Sequence, residues 1–241
     1  MSVGFDGADD YVSCGSDSSI DDIFDGGGTV AAWVYATDYG EGTLGIVAHK
    51  PGWTFAVRNT GDPYIECIRF AKAFSGNDGA WHAGVNSFQS YIGTLCHVAI
   101  TYSADATTND PIFYINGAAQ STTEVTAPTV ARDSDAAGTA YIGNFNDGSA
   151  TWNGYIEDVR WYSTIRTAEE IALLAAGYRG PLGGEVLWLD FCTARGLTAF
   201  SGTLTQGTHT LPDLSANSND GDPYNGCTAN PSEFPRYGVA V

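Results

Sequence analysis

Lysine is close to absent from this chain. Only Lys50 and Lys72 represent it among 10 basic residues, set against 28 acidic ones, and the formal net charge is −18. Such a surface repels the phosphates of nucleic acid and the headgroups of anionic membranes, so neither is expected as a partner. The excess of aspartate over glutamate suits a salt-rich milieu, where screening relieves self-repulsion, and equally an ordinary acidic surface. No run of about 18 apolar residues occurs, so no membrane insertion is expected. The opening MSVGFDG has no basic run followed by an apolar core, so no signal peptide is expected either.

Catalytic signatures are also missing. There is no G-x-S-x-G, no H-E-x-x-H and no phosphate loop. His49, His82, His97 and His209 are scattered without ligand spacing. Cys96-His97 has the residue types of a dyad, but neighbouring residues on a strand face apart. The cysteines number five, an odd count. Cys67, Cys96 and Cys192 lie in strand-like runs and read as buried thiols of a protein folded in a reducing cytoplasm. Cys14 and Cys227 both lie near turns, which leaves a pairing between them open.

Turn formers and alternating apolar residues dominate instead. Glycine numbers 30, among many Asp, Asn, Ser and Thr residues. Strand patterns are expected at Val3–Val12, Thr29–Ala36, Gly45–Ala48, Trp53–Arg58, Ile65–Phe70, Ala80–Phe88, Gly93–Tyr102 and Asp110–Ala118. Asn116-Gly117 is a type I′ hairpin signal. Residues 119–137 read as loop with one weak strand. Gly184–Phe191 reads as a buried strand. Helical periodicity appears once: Thr167 and Glu170 form a capping box, Ile171 and Leu174 an apolar stripe, and Gly177 a stop.

The block from Gly138 to Gly177 joins that helix to a loop-bearing hairpin. It contains Ile142-Gly143, then Gly154, then Ile156-Glu157-Asp158-Val159-Arg160, Tyr162, and Thr167 to Ile171. These residues resemble the closing pattern of the laminin G-like branch of the concanavalin A-like lectin/glucanase superfamily, with Glu157 where Asp is commoner. Further matches are Phe5-Asp6-Gly7 with Asp9-Asp10-Tyr11-Val12, the Trp33 strand, His97-Val98-Ala99 (with Leu95 where Trp is usual), and Asn116-Gly117. The resemblance implies an all-β fold: a two-sheet antiparallel jelly-roll sandwich with one short α-helix.

In that family a strand like Leu187–Phe191 and a motif like Asp213–Gly221 come at the start of the domain, whereas here they come last. The expectation is one domain over 1–241, circularly permuted. Residues 1–177 would form the main sandwich and 178–241 would complete the same sheets. Leu187 and Leu189 should then be buried beside Val3 and Phe5, and Tyr237–Val241 should run into Ser2–Phe5. The same pattern permits exchange between protomers, a route to a homo-oligomer.

Glycosidases occur on this fold, and a retaining one needs two carboxylates about 5 Å apart on one face. Glu157 and Asp158 are adjacent, so they are expected on opposite faces, and Val159 to Tyr162 supply no further acid. The chain is therefore expected not to be an enzyme. The resemblance also implies a structural Ca²⁺ near the rim, with Asp6, Asp9, Asp10 and Asp158 as candidates. The alternative is that Asp158 pairs with an arginine and the others are solvated.

For a glycan, Asn144, Asn146, Asp147, Trp152 and Asn153 offer a ring and polar groups, as does Trp81 with Asn77, Asp78 and His82. The alternative is that both tryptophans are packing residues. Two functions follow from the resemblance and its setting. One is a non-catalytic lectin-like recognition module for a cell-surface glycan or another surface. The other is a structural virion protein, such as a capsid decoration or phage fibre component, contacting other virion proteins. Either would fold in the cytoplasm and act extracellularly or on a virion surface.

Overall fold

A computed structural model describes residues 2–136, 138–190 and 202–230. In chain order its strands are β1 (Ser2–Asp6), β2 (Tyr11–Ser13), β3 (Gly28–Ala36), β4 (Leu44–Lys50), β5 (Trp53–Arg58) and β6 (Cys67–Lys72). They continue as β7 (Gly79–Ala83), β8 (Leu95–Tyr102), β9 (Ile112–Ile115), β10 (Ala118–Ala119), β11 (Thr122–Thr126) and β12 (Tyr141–Ile142). The last are β13 (Asn153–Tyr162), β14 (Glu185–Leu189), β15 (Gly202–Thr203), β16 (Asp222–Tyr224) and β17 (Thr228–Asn230). One sheet runs β10-β9-β8-β3-β13-β1-β17-β15, with β14 also on β13, and the other runs β11-β7-β6-β5-β4-β12-β2-β16. All the pairings between these strands are antiparallel, as the jelly-roll expectation requires.

Alternation decides which side chains enter the layer between the sheets. On β3, Val30, Ala32 and Val34 point inward, and on β13 Ile156, Val159 and Trp161 meet them. Phe55, Phe70 and Trp81 face them from the second sheet. Each such fully buried side chain contributes about 1.5–3 kcal/mol. The expected single strand Val3–Val12 is in fact two. Gly7, at φ +78°, turns the chain so that β1 joins one sheet and β2 the other. The strand expected over Ala80–Phe88 ends at Ala83, because Asn86 at φ +58° begins a turn.

Asn116 and Gly117 both have positive φ, +48° and +79°, and close the β9–β10 hairpin as a type I′ turn demands. The weak strand of residues 119–137 is β11, an edge strand on β7. Helix α1 (Ala168–Ala175) opens with both halves of the capping box. It closes in a Schellman arrangement: the Gly177 amide donates to the Leu174 carbonyl and that of Tyr178 to the Leu173 carbonyl. Ile171 and Leu174 pack on Ala31, Ala99, Tyr114 and Tyr162, so the helix covers the outer face of the first sheet.

Residues after 177 add to both sheets. Leu189 pairs with Val159 and Leu187 with Trp161, while β17 pairs with β1 and β16 with β2. Leu187 and Leu189 are buried in the same cluster as Val3 and Phe5. The expected junction of Tyr237–Val241 with Ser2 lies outside the described residues, as does Cys192. Cys14, Cys67, Cys96 and Cys227 are separate buried thiols, so Cys14 and Cys227 do not pair.

Candidate functional site

One end of the sandwich gathers the turn after β1, the loops 37–43 and 143–152, and the turn at Asn225. Backbone bonds fasten them together: the Thr37 amide donates to the Asn153 carbonyl and that of Glu41 to the Thr151 carbonyl. The Asn225 side chain donates to the Asp9 carbonyl over 2.9 Å. Gly154 is required here, because a Cβ at its φ of +133° would lie 2.1 Å from the Tyr35 carbonyl oxygen.

Within this rim, Asp6, Asp9 and Asp10 each offer a carboxylate oxygen, all within 4.8 Å of one another. Asp6 and Asp9 are exposed, whereas Asp10 is only 1% exposed. Asp10 Oδ2 accepts from the Asp6 amide at 2.9 Å, but its Oδ1 is buried without a donor. Burial, with the charges of Asp6 and Asp9, pushes the Asp10 carboxyl up to about 6. A buried carboxylate with a donorless oxygen and two more acids beside it fits a hard cation. These three residues would hold a Ca²⁺, which would supply positive charge and open coordination positions at the rim.

Asp158 does not belong to this group, which corrects one of the expected metal ligands. It accepts from Arg160 Nε at 2.9 Å and Nη2 at 3.2 Å, and from Trp188 Nε1 at 2.8 Å. Its positive charge is thus supplied by arginine. The expectation that Glu157 and Asp158 face apart is also corrected. A bulge opens between Glu157 and Arg160, with Asp158 at φ +50°, and both carboxylates meet Arg179, at 2.6 and 3.4 Å. They share a side, and both are buried and ion-paired with arginine. Cys96 and His97 do face apart, as expected: Cys96 lies in the core, and the His97 ring meets Trp33 edge-on.

The proposed glycan residues divide by accessibility. Trp152 is 1% exposed, and its Nε1 donates to the Tyr35 carbonyl. Trp81 is 0% exposed, and its Nε1 donates to Asp110 at 2.7 Å. Neither ring offers a face to a sugar, which corrects both assignments. Asn144 is likewise buried: its Oδ1 accepts from the amides of Phe145 and Ala150, and its Nδ2 donates to Thr151. It holds the loop's shape. Asn146 and Asp147 are exposed on that loop, and the half-buried Asn153 donates to Asp38 at 2.8 Å. Gly148 lies against Asp9, which brings this loop onto the acidic rim.

Sequence reasoning missed the burial of both lysines. Lys50 is held by Asp21 and Asp135, and Lys72 by the Asp133 carbonyl. Each lies in a strand with alternating apolar residues, but periodicity cannot announce the distant Asp135. The Asp213–Gly221 motif is a self-satisfied loop. Asp213 accepts from the Trp188, Ser215 and Asn219 amides, and Asn219 reaches Ser19 and the Val186 carbonyl.

Comparison with known proteins agrees with this architecture. No curated protein matches the sequence. A candidate carbohydrate binding protein from Bacteroides ovatus is similar in structure, with 16% identity and a TM-score of 0.63 over 93% of this chain. The chain spans 58% of that protein's length. A heptameric SAP-like pentraxin from Limulus polyphemus is more distant, with 13% identity and a TM-score of 0.48 over 72% of this chain and 81% of its own. Residues 6–172 match the laminin G-type family model of the concanavalin A-like lectin/glucanases superfamily, and the chain belongs to that family.

Proposed function

We propose that the protein is a non-catalytic, lectin-like recognition module that binds a glycan or another surface at the acidic rim, with a bound Ca²⁺ as part of the site. The observation that carries this reading is the buried, donorless Oδ1 of Asp10 beside Asp6 and Asp9. Exposed Asn146 and Asp147 stand on the adjoining loop and suit sugar hydroxyls. The Bacteroides ovatus likeness supports the fold on which such a site is built. A glycan array run in Ca²⁺ tests the reading. Retention of defined glycans is expected, and uniform absence of binding would overturn glycan recognition.

A permuted strand order is part of the same proposal, supported by β14 and β1 sharing one edge of β13. The second function, a structural component of a virus particle, draws support from the separate buried thiols of the four described cysteines, which suit folding in a reducing compartment before display. Electron microscopy of native particles would show symmetric copies on a capsid or fibre if it holds.

A further inference from the structure

In a chain of net charge −18, cations should be in demand as partners. Lys50, Arg132, Arg160, Arg166 and Arg179 each have a carboxylate, and Lys72 has the Asp133 carbonyl with Asp135 and Asp22 nearby. Among the described residues, Arg58 and Arg69 are different. Neither has a carboxylate within 4.0 Å, and the Nε of each, like that of Arg166, is buried without an acceptor.

They lie on adjacent strands, where Arg58 pairs with Cys67 and Arg69 with Ala56, so the two side chains are diagonal neighbours on one face. Tyr64 comes over them from the following loop. Its ring centroid is 4.6 Å from the Arg58 guanidinium carbon and 5.3 Å from that of Arg69. His82, opposite Arg69, meets the same ring edge-on.

Two like charges held side by side repel each other, and the charge of Arg69 opposes protonation of Arg58 after the larger effect of burial. Stacking on Tyr64 offsets part of that cost. It also determines which donors remain. A guanidinium stacked by its face keeps its terminal Nη edge for a ligand, and those paired N–H groups match a carboxylate or sulfate. Glu66, beside Cys67 in the chain, lies beyond 4.0 Å of both guanidinium groups. The 37–43 loop separates the pair from the acidic rim at the same end of the sandwich, where the Asn59 amide donates to the Thr43 carbonyl.

We propose that Arg58, Arg69 and Tyr64 form an oxyanion site for the carboxylate or sulfate groups of an acidic saccharide. Charge complementarity selects the ligand: this is the one described place where positive charge is uncompensated. Screening at physiological salt, with a Debye length of about 8 Å, confines the repulsion of the acidic surface to short range. The inference rests on the lectin-like reading and specifies a ligand class for it.

The test is isothermal titration at 0.15 M salt with three probes: a neutral oligosaccharide, its sulfated form, and an oligo-uronate bearing carboxylates alone. Binding of a charged probe is expected to exceed that of the neutral one. It should weaken about tenfold or more in both Arg58→Gln and Arg69→Gln. Arg58→Lys, which keeps the charge and loses the fork, should recover only part of it. A thermal melt of each variant separates misfolding from loss of the site. Whichever charged probe binds identifies the group recognised. If the neutral oligosaccharide binds as tightly and the variants change nothing, the oxyanion site is wrong while the lectin reading stands. Should none of the three bind, the oxyanion site is wrong, and the glycan array decides the lectin reading separately.

Discussion

Leu189 and Val3 stand end to end along one edge of β13, opposite Val159 and Ile156. Both are buried in the core between the sheets. A residue near one end of the chain and one far along it thus extend the same sheet in the same direction. The gap between them faces the bulge that carries Glu157 and Asp158.

Truncating one member of that edge should therefore weaken the whole sandwich. Leu189→Ala is expected to cost about 2–5 kcal/mol, from lost burial and the cavity left behind. Chemical denaturation should show a single transition at lower denaturant. An unchanged main transition with a separate early one would mean that β14 unfolds alone.

The capping box makes a smaller and separate contribution. Thr167 Oγ1 accepts from the Glu170 amide at 3.2 Å, and Glu170 Oε2 accepts from the Thr167 amide at 2.9 Å. Replacing Thr167 with Ala should cost about 1 kcal/mol. A stabilised variant in the same denaturation assay would refute the assignment.

The buried ion pair of Asp158 and Arg160 contributes to stability. Asp158→Ala leaves buried Arg160 with only the more distant Glu185 carboxylate, at 4.0 Å, and should cost about 3–5 kcal/mol. Wild-type protein should show no turnover of β-glucans, and Glu157→Gln should leave that blank unchanged. Hydrolysis abolished by Glu157→Gln would show that the carboxylates act as a catalytic pair.

His97 gives the pH dependence a definite sign. Burial, with Arg160 and Arg179 nearby, lowers its pKa from 6.5 to about 4, so the folded protein keeps it neutral. As pH falls below 6.5 the unfolded chain binds a proton that the folded one refuses, and stability declines until about pH 4. His97→Phe should flatten that decline by up to about 1.4 kcal/mol per pH unit. A denaturation series from pH 7 to 4 measures it, and an unaltered slope would show that the folded protein protonates His97 as readily as the unfolded chain does.

Much of this was legible in the sequence, for local reasons. Alternation placed Val30, Ala32 and Val34 inward, the Thr167–Glu170 spacing marked the helix start, and Asn116-Gly117 marked its hairpin. What failed did so because it depends on contacts far apart in the chain. Trp152 and Trp81 have the composition of a sugar platform, but the neighbouring sheet covers their rings. Asp158 was misread because a bulge turned it toward Arg160 and Arg179. The unpaired state of Arg58 and Arg69 emerges only when every other described cation is seen to have a partner.

The central claim is recognition at the Asp6, Asp9 and Asp10 rim with Ca²⁺ as part of the site, and one titration tests it most directly. The best glycan from an array would be titrated into wild-type protein and Asp10→Asn, each with Ca²⁺ and with a chelator. Binding by the wild type in Ca²⁺, lost with chelator and weakened at least tenfold by Asp10→Asn, is the predicted result. Equal affinity in all four conditions would contradict the account and move recognition away from this rim.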